Sequence, residues 1–399
     1  MMDPTEGLRC SKSRILKGKK IVVGVTSSIG AIETPKLIRE LIRHGAEVYT
    51  VATQESREII GEYSLEFASG KKVCYNITGL VEHVTLYNLC DAMVIYPCTA
   101  NTLSKISLGI GDNVVNTTAM MFLGHKPLFI APGMHKNMLH NIGEHMERLK
   151  NKRSVYIIPP RIEEGKAKVP PIEDVVLKVM EVFKGEYRGD EGGKKILILS
   201  GATAEFIDRV RVITNLSSGK TGYYLAEAAS RAGHHVEVIH ALGMEPPYYV
   251  KSHKVITSRE MLNKALELGR DAQVIISCAA ISDFIPELFF PGKIKSDRDI
   301  VLKLKRNIKV IKELRRAFPE KTIVGFKAEY GLNKEELIEI GKEKLKEYDL
   351  DYIVVNDLAR HYFGDDYNEV ILIGRDGILK EFKGRKSEIM EYIVKEVVR

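Results

Sequence analysis

Tryptophan is absent from the chain, and glutamine occurs only twice in its 399 residues, against abundant Lys, Glu and Ile. Such a composition is typical of thermophilic proteins. The five Cys residues form no Cys-x-x-Cys pair, which argues against a zinc site or a disulfide framework. No apolar run approaches the ~20 residues that a membrane span needs, and no secretory signal is evident at the amino terminus. We therefore expect a soluble, cytoplasmic protein.

Neither sign of charge is strongly in excess. The chain has 60 basic and 53 acidic residues, so its net charge is +7, spread along its length. This mild bias suits anionic small molecules better than a nucleic-acid surface. With 44% hydrophobic and 28% charged residues, we expect a packed core rather than disorder. The most basic cluster, residues 302–306, alternates with apolar residues and predicts a strand with a solvated face.

Two nucleotide-binding motifs are missing. Neither half of the chain contains the Gly-x-Gly-x-x-Gly fingerprint, so an NAD(P)-dependent oxidoreductase is disfavoured. Residues 217–221 (Ser-Ser-Gly-Lys-Thr) are similar to the end of a P-loop, but position 214 is Thr rather than Gly and no strand directly precedes the run. We interpret them as a helix start, which serine caps and which can also bind an anion.

The chain divides at residues 184–195, a glycine-rich, charged segment that we interpret as a linker. The two parts, residues 1–190 and 191–399, open alike with a short apolar strand, a turn, a helical pattern, a glycine and a second strand. This order is typical of a βαβ unit, in which the two strands lie parallel. The sequence therefore predicts an α/β protein of two doubly wound domains.

Further apolar runs predict the other strands of both sheets. They lie at residues 92–96, 128–131 and 155–158, and then at 274–278, 323–326 and 352–355. A hairpin of residues 370–373 and 378–382 follows, with Asp376-Gly377 in its turn. The second part also carries a polar insertion, residues 204–218, after its first strand. We expect this insertion to be a functional loop at the ligand-facing edge of the sheet.

Small and hydroxyl-bearing residues follow several predicted strands. Residues 24–30 (Gly-Val-Thr-Ser-Ser-Ile-Gly) form a strand-to-helix turn, and Thr53 ends the next strand at the same edge. Residues 96–102 (Tyr-Pro-Cys-Thr-Ala-Asn-Thr) end another strand and open a helix, whose first N–H groups and hydroxyls suit a phosphate. Gly-Ile-Gly-Asp-Asn at 109–113 and Ala-Pro-Gly-Met-His at 131–135 come next.

These motifs carry a family resemblance. The run Pro-Cys-Thr-Ala-Asn-Thr resembles a motif of the homo-oligomeric flavin-containing cysteine decarboxylases, and the Gly-Asp-Asn and Pro-Gly-Met elements look like their later motifs. In the second part, residues 201–208, 211–219, 278–283 and 293–295 resemble phosphopantothenate–cysteine ligase. The likeness covers nearly the whole chain. The sequence thus resembles the bifunctional coenzyme A biosynthesis family, in its archaeal form, in which a phosphopantothenoylcysteine decarboxylase is fused to this ligase.

The resemblance implies a flavodoxin-like, FMN-dependent decarboxylase in residues 1–190 and a Rossmann-like, nucleotide-binding ligase with a C-terminal hairpin in residues 191–399. In the family, FMN oxidises the substrate thiol to a thioaldehyde, which delocalises the carbanion left by CO₂ loss, and then reduces the enethiol product. His83 matches the family's catalytic histidine. The implied FMN-binding residues are Ser27, Ser28, Thr53, Cys98, Thr99, Ala100 and Asn101, and the implied substrate contacts are Asn113, Met134 and His135.

Two positions depart from the pattern of bacterial members. His135 stands where they usually carry an Asn that recognises the substrate carboxylate, and no Cys between Cys98 and Cys278 can serve as their flap cysteine, which protonates the enethiolate. The matching segment reads Glu-Glu-Gly-Lys-Ala-Lys at 163–168. Lys166 or Lys168 is a candidate donor if desolvation lowers its pKa, and a solvated charged loop is an equally open alternative.

The ligase resemblance implies CTP with Mg²⁺, an acyl-cytidylate intermediate, and its displacement by the cysteine amine. Asn215 matches the residue that polarises the substrate carboxylate, and Lys293 the residue needed for amine attack. Pro291-Gly292 before it predicts a mobile flap. The implied substrate and nucleotide contacts are Arg211, Cys278, Ala279, Ala280, Asp283, Asn307, Phe326 and Lys344. No residues are assigned to Mg²⁺.

The family further implies a homo-oligomer, with a trimeric flavin half and a dimeric ligase half that together allow a dodecamer. The implied partners are small molecules, namely 4′-phosphopantothenate, cysteine and CTP, with neither nucleic acid nor membrane. One alternative stays open. Because relatives include non-catalytic FMN proteins, the flavin half is a regulatory or binding module if the absent flap cysteine abolishes decarboxylation.

Overall fold

The structure, a computed structural model, describes residues 4–184, 193–297, 299–377 and 379–398. The chain forms two compact units, Met1–Arg188 and Gly189–Arg399. Most of the predicted linker, residues 184–195, lies outside the described residues. Each unit has its own parallel sheet with helices packed against it, so the predicted architecture of two doubly wound α/β domains is confirmed.

The amino-terminal unit alternates strands and helices. Its strands are β1 (Lys20–Val25), β2 (Glu47–Ala52), β3 (Val73–Cys74), β4 (Ala92–Cys98), β5 (Leu128–Pro132), β6 (Met134–His135), β7 (Val155–Ile157), β8 (Arg161–Glu163) and β9 (Lys166–Lys168). Its helices are α1 (Thr34–Arg43), α2 (Glu62–Ser69), α3 (Glu82–Leu89), α4 (Ala100–Leu108), α5 (Val114–Phe122), α6 (Lys136–Asn141), α7 (Gly143–Lys150) and α8 (Ile172–Lys184).

The main sheet of this unit has six parallel strands in the order β3-β2-β1-β4-β5-β7. Strands β1, β4 and β5 are apolar almost throughout. Because helices cover both faces of the sheet, the side chains of these strands do not alternate between apolar and polar. The order of the strands reverses between β1 and β4. A separate small sheet, in the order β6-β9-β8, is antiparallel.

The carboxyl-terminal unit repeats this plan and adds an antiparallel end. Its strands are β10 (Lys195–Ser200), β11 (Ala204–Phe206), β12 (Val212–Thr214), β13 (His235–His240), β14 (Lys251–Lys254), β15 (Val274–Ser277), β16 (Phe284–Pro286), β17 (Leu304–Arg306), β18 (Thr322–Glu329), β19 (Tyr352–Asp357), β20 (Tyr367–Gly374) and β21 (Leu379–Arg385). Its helices are α9 (Lys220–Arg231), α10 (Ser258–Leu268), α11 (Val310–Ala317), α12 (Lys334–Glu347) and α13 (Lys386–Val397).

The eight-stranded sheet of this unit runs β14-β13-β10-β15-β18-β19-β20-β21. The strands up to β19 are parallel, whereas β20 and β21 form the predicted antiparallel hairpin. Its turn was predicted to end at Ile378, which lies outside the described residues. Because β20 runs backwards and β21 returns, the end of β21 and the start of α13 lie at the same edge as the carboxyl ends of the parallel strands.

Two predictions about this unit need adjustment. The insertion 204–218, predicted as a loop, contains an antiparallel strand pair, β11 with β12, in which Ala204 faces Thr214. The basic cluster 302–306 does contribute a strand, β17, which pairs with β16, but all three of its residues are exposed. The basic residues of this cluster therefore belong to a hairpin that is exposed to solvent in this chain. None of the helices that the structure describes is long and apolar enough to cross a membrane.

Candidate active sites

One buried threonine ties together the turns that follow β1 and β4. The hydroxyl of Thr26 donates to the carbonyl of Pro97 at 2.8 Å and accepts from the backbone N–H of Thr99 at 3.2 Å. These turns meet at the carboxyl edge where the strand order reverses, which is where ligands bind in open α/β sheets. Thr26 is a positioning residue that the sequence analysis did not select.

A cavity of about 590 Å³, which we name the first cavity, opens at this edge. It is bounded by the turns after β1, β2, β3 and β4. Five residues predicted from sequence line it: Ser27, Thr53, Thr99, Asn101 and Asn113. The structure thus brings together side chains that are up to 86 positions apart in the chain.

Two hydroxyls in the first cavity have no hydrogen-bond partner within the described part of the chain. They belong to Thr53, which is 5% exposed, and to Tyr75. An unpaired buried hydroxyl costs free energy unless a ligand supplies a partner. The cavity therefore fits a ligand rich in oxygen atoms. Tyr75 was not predicted, since it follows the two-residue strand β3, which carries little sequence signal.

The first turn of α4 supplies further donors to the first cavity. The hydroxyl of Thr99 caps the helix by accepting from the backbone N–H of Thr102 at 3.3 Å. The N–H groups of Ala100 and Asn101 precede the first intrahelical bonds and carry the positive end of the helix dipole. Ala100 is buried, so it contributes to a ligand site through its backbone. This end of α4 is suited to a phosphate.

Charged groups line the rim of the same cavity. Lys105 pairs with Asp112 at 2.5 Å, and this hydrogen bond lowers the pKa of the Asp112 carboxyl. The side-chain oxygen of Asn113 caps α5 by accepting from the backbone N–H of Asn116 at 2.9 Å, and its amide group donates to Asp112. Asn113 therefore lines the cavity, and both polar groups of its side chain already form hydrogen bonds within the protein.

The side chain of Cys98, one of the FMN-binding residues that the resemblance implies, does not line the first cavity. Cys98 is fully buried and packs in the hydrophobic cluster that contains Leu103 and Ile106. Burial raises the pKa of its thiol, so the group stays neutral. A register shift in the pairing of β4 with β5 between Ile95 and Cys98 interrupts the alternation of side chains. Only the backbone of Cys98 is available to a ligand.

A second cavity of about 470 Å³ lies on the other side of the β1 turn. Ser28, Met134, His135, Lys166 and Lys168 line it, so the predicted substrate residues and the predicted flap lie together. At the floor of this cavity, the backbone of Gly133 packs closely against the side chain of Val169. A Cβ atom added at Gly133 would lie 2.6 Å from a methyl carbon of Val169, so a larger residue would require that side chain to shift.

The predicted flap is a strand hairpin. Strands β8 and β9 pair with each other, and β9 also pairs with β6, so that Lys166 faces His135. Lys168 forms ion pairs with Glu163 at 3.0 Å and Glu164 at 3.2 Å. These partners raise the pKa of Lys168, which contradicts the expectation that desolvation lowers it. Both lysines line the second cavity, and Lys166 remains the candidate of the two because it has no such carboxylate partner among the described residues.

His83 does not line either cavity of this unit within the described residues. It lies in the first turn of α3, which packs against α5. Its ring atom Nδ1 is buried and has no hydrogen-bond partner in the described part of the chain. An unsatisfied ring nitrogen is available for proton transfer. The structure therefore leaves the catalytic assignment of His83 as a prediction.

The carboxyl-terminal unit has a cavity of about 130 Å³, the third cavity, at the carboxyl edge of its sheet. Of the residues predicted from sequence, Cys278, Ala279, Ala280 and Phe326 line it. The first turn of α9 forms another wall, through Ser217, Ser218, Gly219 and Thr221. Burial raises the pKa of the Cys278 thiol to about 12, so this group is not a nucleophile at neutral pH.

Helix α9 approaches β10 very closely at its start. A Cβ atom added at Gly222 would lie 1.9 Å from the hydroxyl oxygen of Ser200, so only glycine fits there. Gly219 precedes the helix with a φ of +77° and provides no side-chain cap. The hydroxyl of Ser218 accepts from the backbone N–H of Lys220 at 3.4 Å, and the next N–H groups of the first turn are available to an anion in the third cavity.

A buried aspartate links the Lys293 loop to the β11–β12 hairpin. Asp208 accepts hydrogen bonds from the backbone N–H of Ile294 at 3.0 Å and from Arg211 at 2.6 Å. The bond from Ile294 is the main reason that the pKa of Asp208 is lowered. Arg211 therefore helps to position the Lys293 loop through Asp208. Lys293 itself is exposed, and Asn215 donates to the carbonyl of Ala280 at 3.2 Å beside the third cavity.

Three predicted nucleotide contacts are placed elsewhere. Lys344 lies in the last turn of α12, at the end opposite the carboxyl edge of the sheet, and pairs with Glu347 at 2.6 Å. It does not line the third cavity, and its contact with a nucleotide stays a prediction. The amide of Asn307 donates to the Ser258 hydroxyl and to the Ser282 carbonyl, each at 2.8 Å, and thereby holds the end of β17. Asp283 is paired with Lys309.

Several residues of the third cavity were missed by sequence reasoning. Asn356, Asn368 and Lys386 line it, together with the aromatic residues Tyr362 and Phe363. Asn356 lies near the end of β19, and the two aromatic residues lie between β19 and β20. Asn368 is near the start of β20, and Lys386 begins α13. The predicted C-terminal hairpin was the available signal, because a strand pair that leaves and returns brings the next helix back to the ligand edge. No cluster of three or more metal-ligating side chains is present among the described residues.

Two protein-family profiles match this chain. The profile described as "Flavoprotein" matches residues 9–184, and the profile described as "DNA/pantothenate metabolism flavoprotein C-terminal domain" matches residues 192–399. Each match falls on one of the two units that carry the cavities.

Full-length relatives are also similar. The coenzyme A biosynthesis bifunctional protein CoaBC of Methanocaldococcus jannaschii is 56% identical and covers 100% of this chain and 98% of its own length. The protein of that name from Thermococcus kodakarensis is 40% identical, over 100% of this chain and 99% of its own length. A crystal structure of the C-terminal domain of CoaBC is 30% identical with a TM-score of 0.44, over 52% of this chain and 94% of that one. On the sequence matches, the chain belongs to the family of coenzyme A biosynthesis bifunctional proteins.

Proposed function

We propose that this chain catalyses two steps of coenzyme A biosynthesis. The carboxyl-terminal unit joins cysteine to 4′-phosphopantothenate, and the amino-terminal unit decarboxylates the product to 4′-phosphopantetheine. The observation that carries the proposal is that several motif residues of each unit meet at a cavity at the carboxyl edge of its own sheet. Family membership over the full length supports both activities and disfavours the NAD(P) oxidoreductase.

The amino-terminal unit is proposed to bind FMN in the first cavity. The match to the flavoprotein profile supports this, and so do the unpaired hydroxyls of Thr53 and Tyr75, which a ribityl or phosphate oxygen would satisfy. The first turn of α4 suits the phosphate group. When bound, FMN supplies the electron sink that decarboxylation of a cysteine carboxyl requires.

The protein's own residues then bind the substrate and move protons. The second cavity places His135 and Lys166 next to each other, where two cationic or hydrogen-bonding groups can hold a carboxylate. Lys166 is the proposed proton donor to the enethiolate, since Lys168 is neutralised by two glutamates. His83 is proposed as the catalytic histidine. The β8–β9 hairpin covers the cavity and limits the access of water.

The carboxyl-terminal unit is proposed to activate the carboxylate with CTP. Asn215 offers an amide donor beside Ala280, where the carboxylate oxygen would lie. Lys293 is proposed to act in the later amine attack, because Asp208 holds the start of its loop at Ile294. Mg²⁺ is expected to arrive with the nucleotide phosphates, since magnesium is commonly held by phosphates and few carboxylates.

A homo-oligomer is proposed, with a trimeric amino-terminal half and a dimeric carboxyl-terminal half, which permit a dodecamer. Large apolar side chains at the surface of the first unit support this, notably Tyr63 at 84%, Ile29 at 76% and Phe67 at 60% exposure. The hairpin region of the second unit exposes Leu288 and Phe289. A cytoplasmic location is proposed because the cysteines that the structure describes are free thiols, which suits a reducing compartment.

The test is to purify the full chain and measure both activities. We expect flavin absorbance near about 450 nm, which the cofactor's own chemistry gives. Incubation with phosphopantothenoylcysteine should release CO₂. Bound flavin without CO₂ release would favour the alternative in which the flavin half is a regulatory module, and absence of flavin binding would contradict the assignment of the first cavity.

A further inference from the structure

Lys386 is a buried lysine that faces the third cavity. It is the first residue of α13, its side chain is 5% exposed, and it lines the cavity beside Asn368. Its ammonium group forms no hydrogen bond or ion pair with any residue that the structure describes. A lysine whose side chain is largely buried and whose ammonium group has no partner gains stability when an anion approaches it.

The carboxylates nearest to Lys386 do not provide that partner. Asp366 is paired with Lys220 at 2.7 Å, and Lys220 also donates to the carbonyl of Gly364 at 2.5 Å. Asp365 acts on Lys386 electrostatically without forming an ion pair. Burial is the main effect and lowers the pKa of Lys386, while Asp365 and Asp366 act in the opposite direction. An anionic ligand in the cavity would give the ammonium group the partner that these carboxylates do not provide.

The rest of the cavity wall is suited to an anion. Neither Asp nor Glu lines it among the described residues, whereas hydrogen-bond donors are numerous. The hydroxyls of Ser217 and Thr221 and the amides of Asn356 and Asn368 line it, and the first turn of α9 adds the backbone N–H groups that Ser218 does not cap. Lys386 completes this set with a full positive charge.

The size of the cavity limits what it can hold. Its volume of about 130 Å³ is below the roughly 300 Å³ at which pockets begin to bury a drug-sized ligand. A phosphate or pyrophosphate group fits such a volume, whereas a whole nucleotide must extend outside it. The enclosed part of the site is therefore a site for phosphate oxygens.

We infer that Lys386 binds a phosphate group of a ligase substrate, together with the first turn of α9 and the Asn368 amide. The inference deepens the proposed function and rests on it only for the identity of the phosphate carrier. Two carriers share this chemistry, the triphosphate of the nucleotide and the phosphate of phosphopantothenate.

The experiment compares the full-length chain with K386M and K395M. Methionine keeps the volume of lysine without its charge, and Lys395 is an exposed residue of the same helix, so K395M controls for loss of one positive charge. Inorganic pyrophosphate is titrated into each protein by calorimetry, followed by CTP and by phosphopantothenate. We expect K386M to lose roughly 10- to 100-fold in pyrophosphate affinity, as a charged hydrogen bond predicts. K395M should bind as the unaltered chain does.

The melting temperature of the ligand-free protein separates a binding role from a structural one. If Lys386 awaits an anion, K386M removes an unpaired buried charge and should melt at the same or a higher temperature. A lower melting temperature, failure to fold, or unchanged pyrophosphate affinity would each overturn the inference. Loss of CTP affinity alone identifies the nucleotide as the carrier, and loss of phosphopantothenate affinity alone identifies that substrate.

The result is also separable from the proposed function. If the unaltered chain binds pyrophosphate through Lys386 but does not join cysteine to phosphopantothenate, the inference stands and the proposed ligase fails. If ligation proceeds and K386M has an unchanged KM for CTP and for phosphopantothenate, the proposed function stands and the inference fails.

Discussion

His135 and Lys166 are directly opposite each other in the antiparallel pairing of β6 with β9. They are the two points at which the sequence departs from the bacterial pattern, one at the carboxylate-binding position and one at the flap. Their pairing places both departures in the second cavity. The proposed carboxylate-binding group and the proposed proton donor are therefore neighbours in one local part of the structure.

The first prediction concerns the proton donor. We expect Lys166→Ala to accumulate the oxidised, decarboxylated enethiol with FMN left reduced, because no other cation of the flap is free to donate. The measurement is single-turnover product mass together with flavin absorbance.

Lys168→Ala is the matched control, since Lys168 lies on the same strand but is bound to Glu163 and Glu164. It should give normal phosphopantetheine. Cys98→Ser should also remain largely active, because the Cys98 side chain faces the core. Normal product from Lys166→Ala would remove this lysine and leave water or His135 as the donor.

The second prediction tests the flavin cavity. Thr53→Val removes a hydroxyl that has no partner in the protein itself and should weaken FMN binding by roughly three- to tenfold, the worth of one neutral hydrogen bond. Thermal stability of the apoprotein should not fall. Fluorescence titration of the apoprotein with FMN measures the change.

Thr50→Val provides the control for this substitution. Thr50 lies on β2, the strand that Thr53 directly follows; it is buried and also has an unpaired hydroxyl, but it does not line the first cavity. Its FMN affinity should be unchanged. Equal affinity losses in both variants would show that the effect comes from strand β2 rather than from the cavity.

The third prediction concerns His83. His83→Asn should reduce CO₂ release by about 100-fold or more, the range for loss of a general acid or base, while FMN binding and ligation continue. The reason is that His83 lies outside the flavin cavity but carries an unsatisfied ring nitrogen. His125→Asn, at an exposed position before β5, is the control. Undiminished CO₂ release from His83→Asn would remove the catalytic assignment.

The fourth prediction separates the two ligase steps. Asn215→Asp should slow acyl-cytidylate formation by about 100-fold or more, because a carboxylate replaces a donor at the substrate carboxylate. Lys293→Gln should still form the acyl-cytidylate but stall its transfer to cysteine. Rapid-quench analysis with labelled CTP distinguishes the steps, and a block of both variants at the same step would contradict the division.

The fifth prediction follows from Asp208. Its pKa is lowered in the folded protein, so its contribution to stability is present above the unfolded value of about 3.9 and is lost as the pH falls below it. Asp208→Asn should therefore destabilise the second unit at pH 7 and differ less from the unaltered chain in strong acid. Chemical denaturation across pH measures this, with the exposed Asp271→Asn as control. A difference that does not shrink in acid would contradict the linkage.

Local sequence patterns predicted the sheets well because parallel strands buried on both faces are nearly continuous apolar runs. The turns after them were also predictable, since carboxyl ends of parallel strands meet at one edge. Cys98 was misplaced because a register shift in β4 cannot be seen in the sequence. That Lys344 does not line the third cavity could not be seen either, because a motif match does not show that the last turn of α12 lies away from the carboxyl edge.

Lys386 could not be found by local reasoning at all. Its burial depends on the antiparallel return of β21 and on the packing of α13 against α9, which are contacts between distant parts of the chain. From the sequence alone, a lysine that directly follows a strand is expected to be an ordinary solvated charge. The same limit applies to Thr26, whose hydroxyl is significant only because it joins two turns that are 71 positions apart.

The central claim is that one chain carries both reactions. Its most direct test is to incubate the purified full-length protein with 4′-phosphopantothenate, cysteine, Mg²⁺ and CTP, with ATP in a parallel reaction, and to follow products by mass spectrometry. The account predicts CMP, pyrophosphate and CO₂, with 4′-phosphopantetheine as the final product. Phosphopantothenoylcysteine that forms but is never decarboxylated, or the absence of any cysteine adduct with either nucleotide, would contradict it.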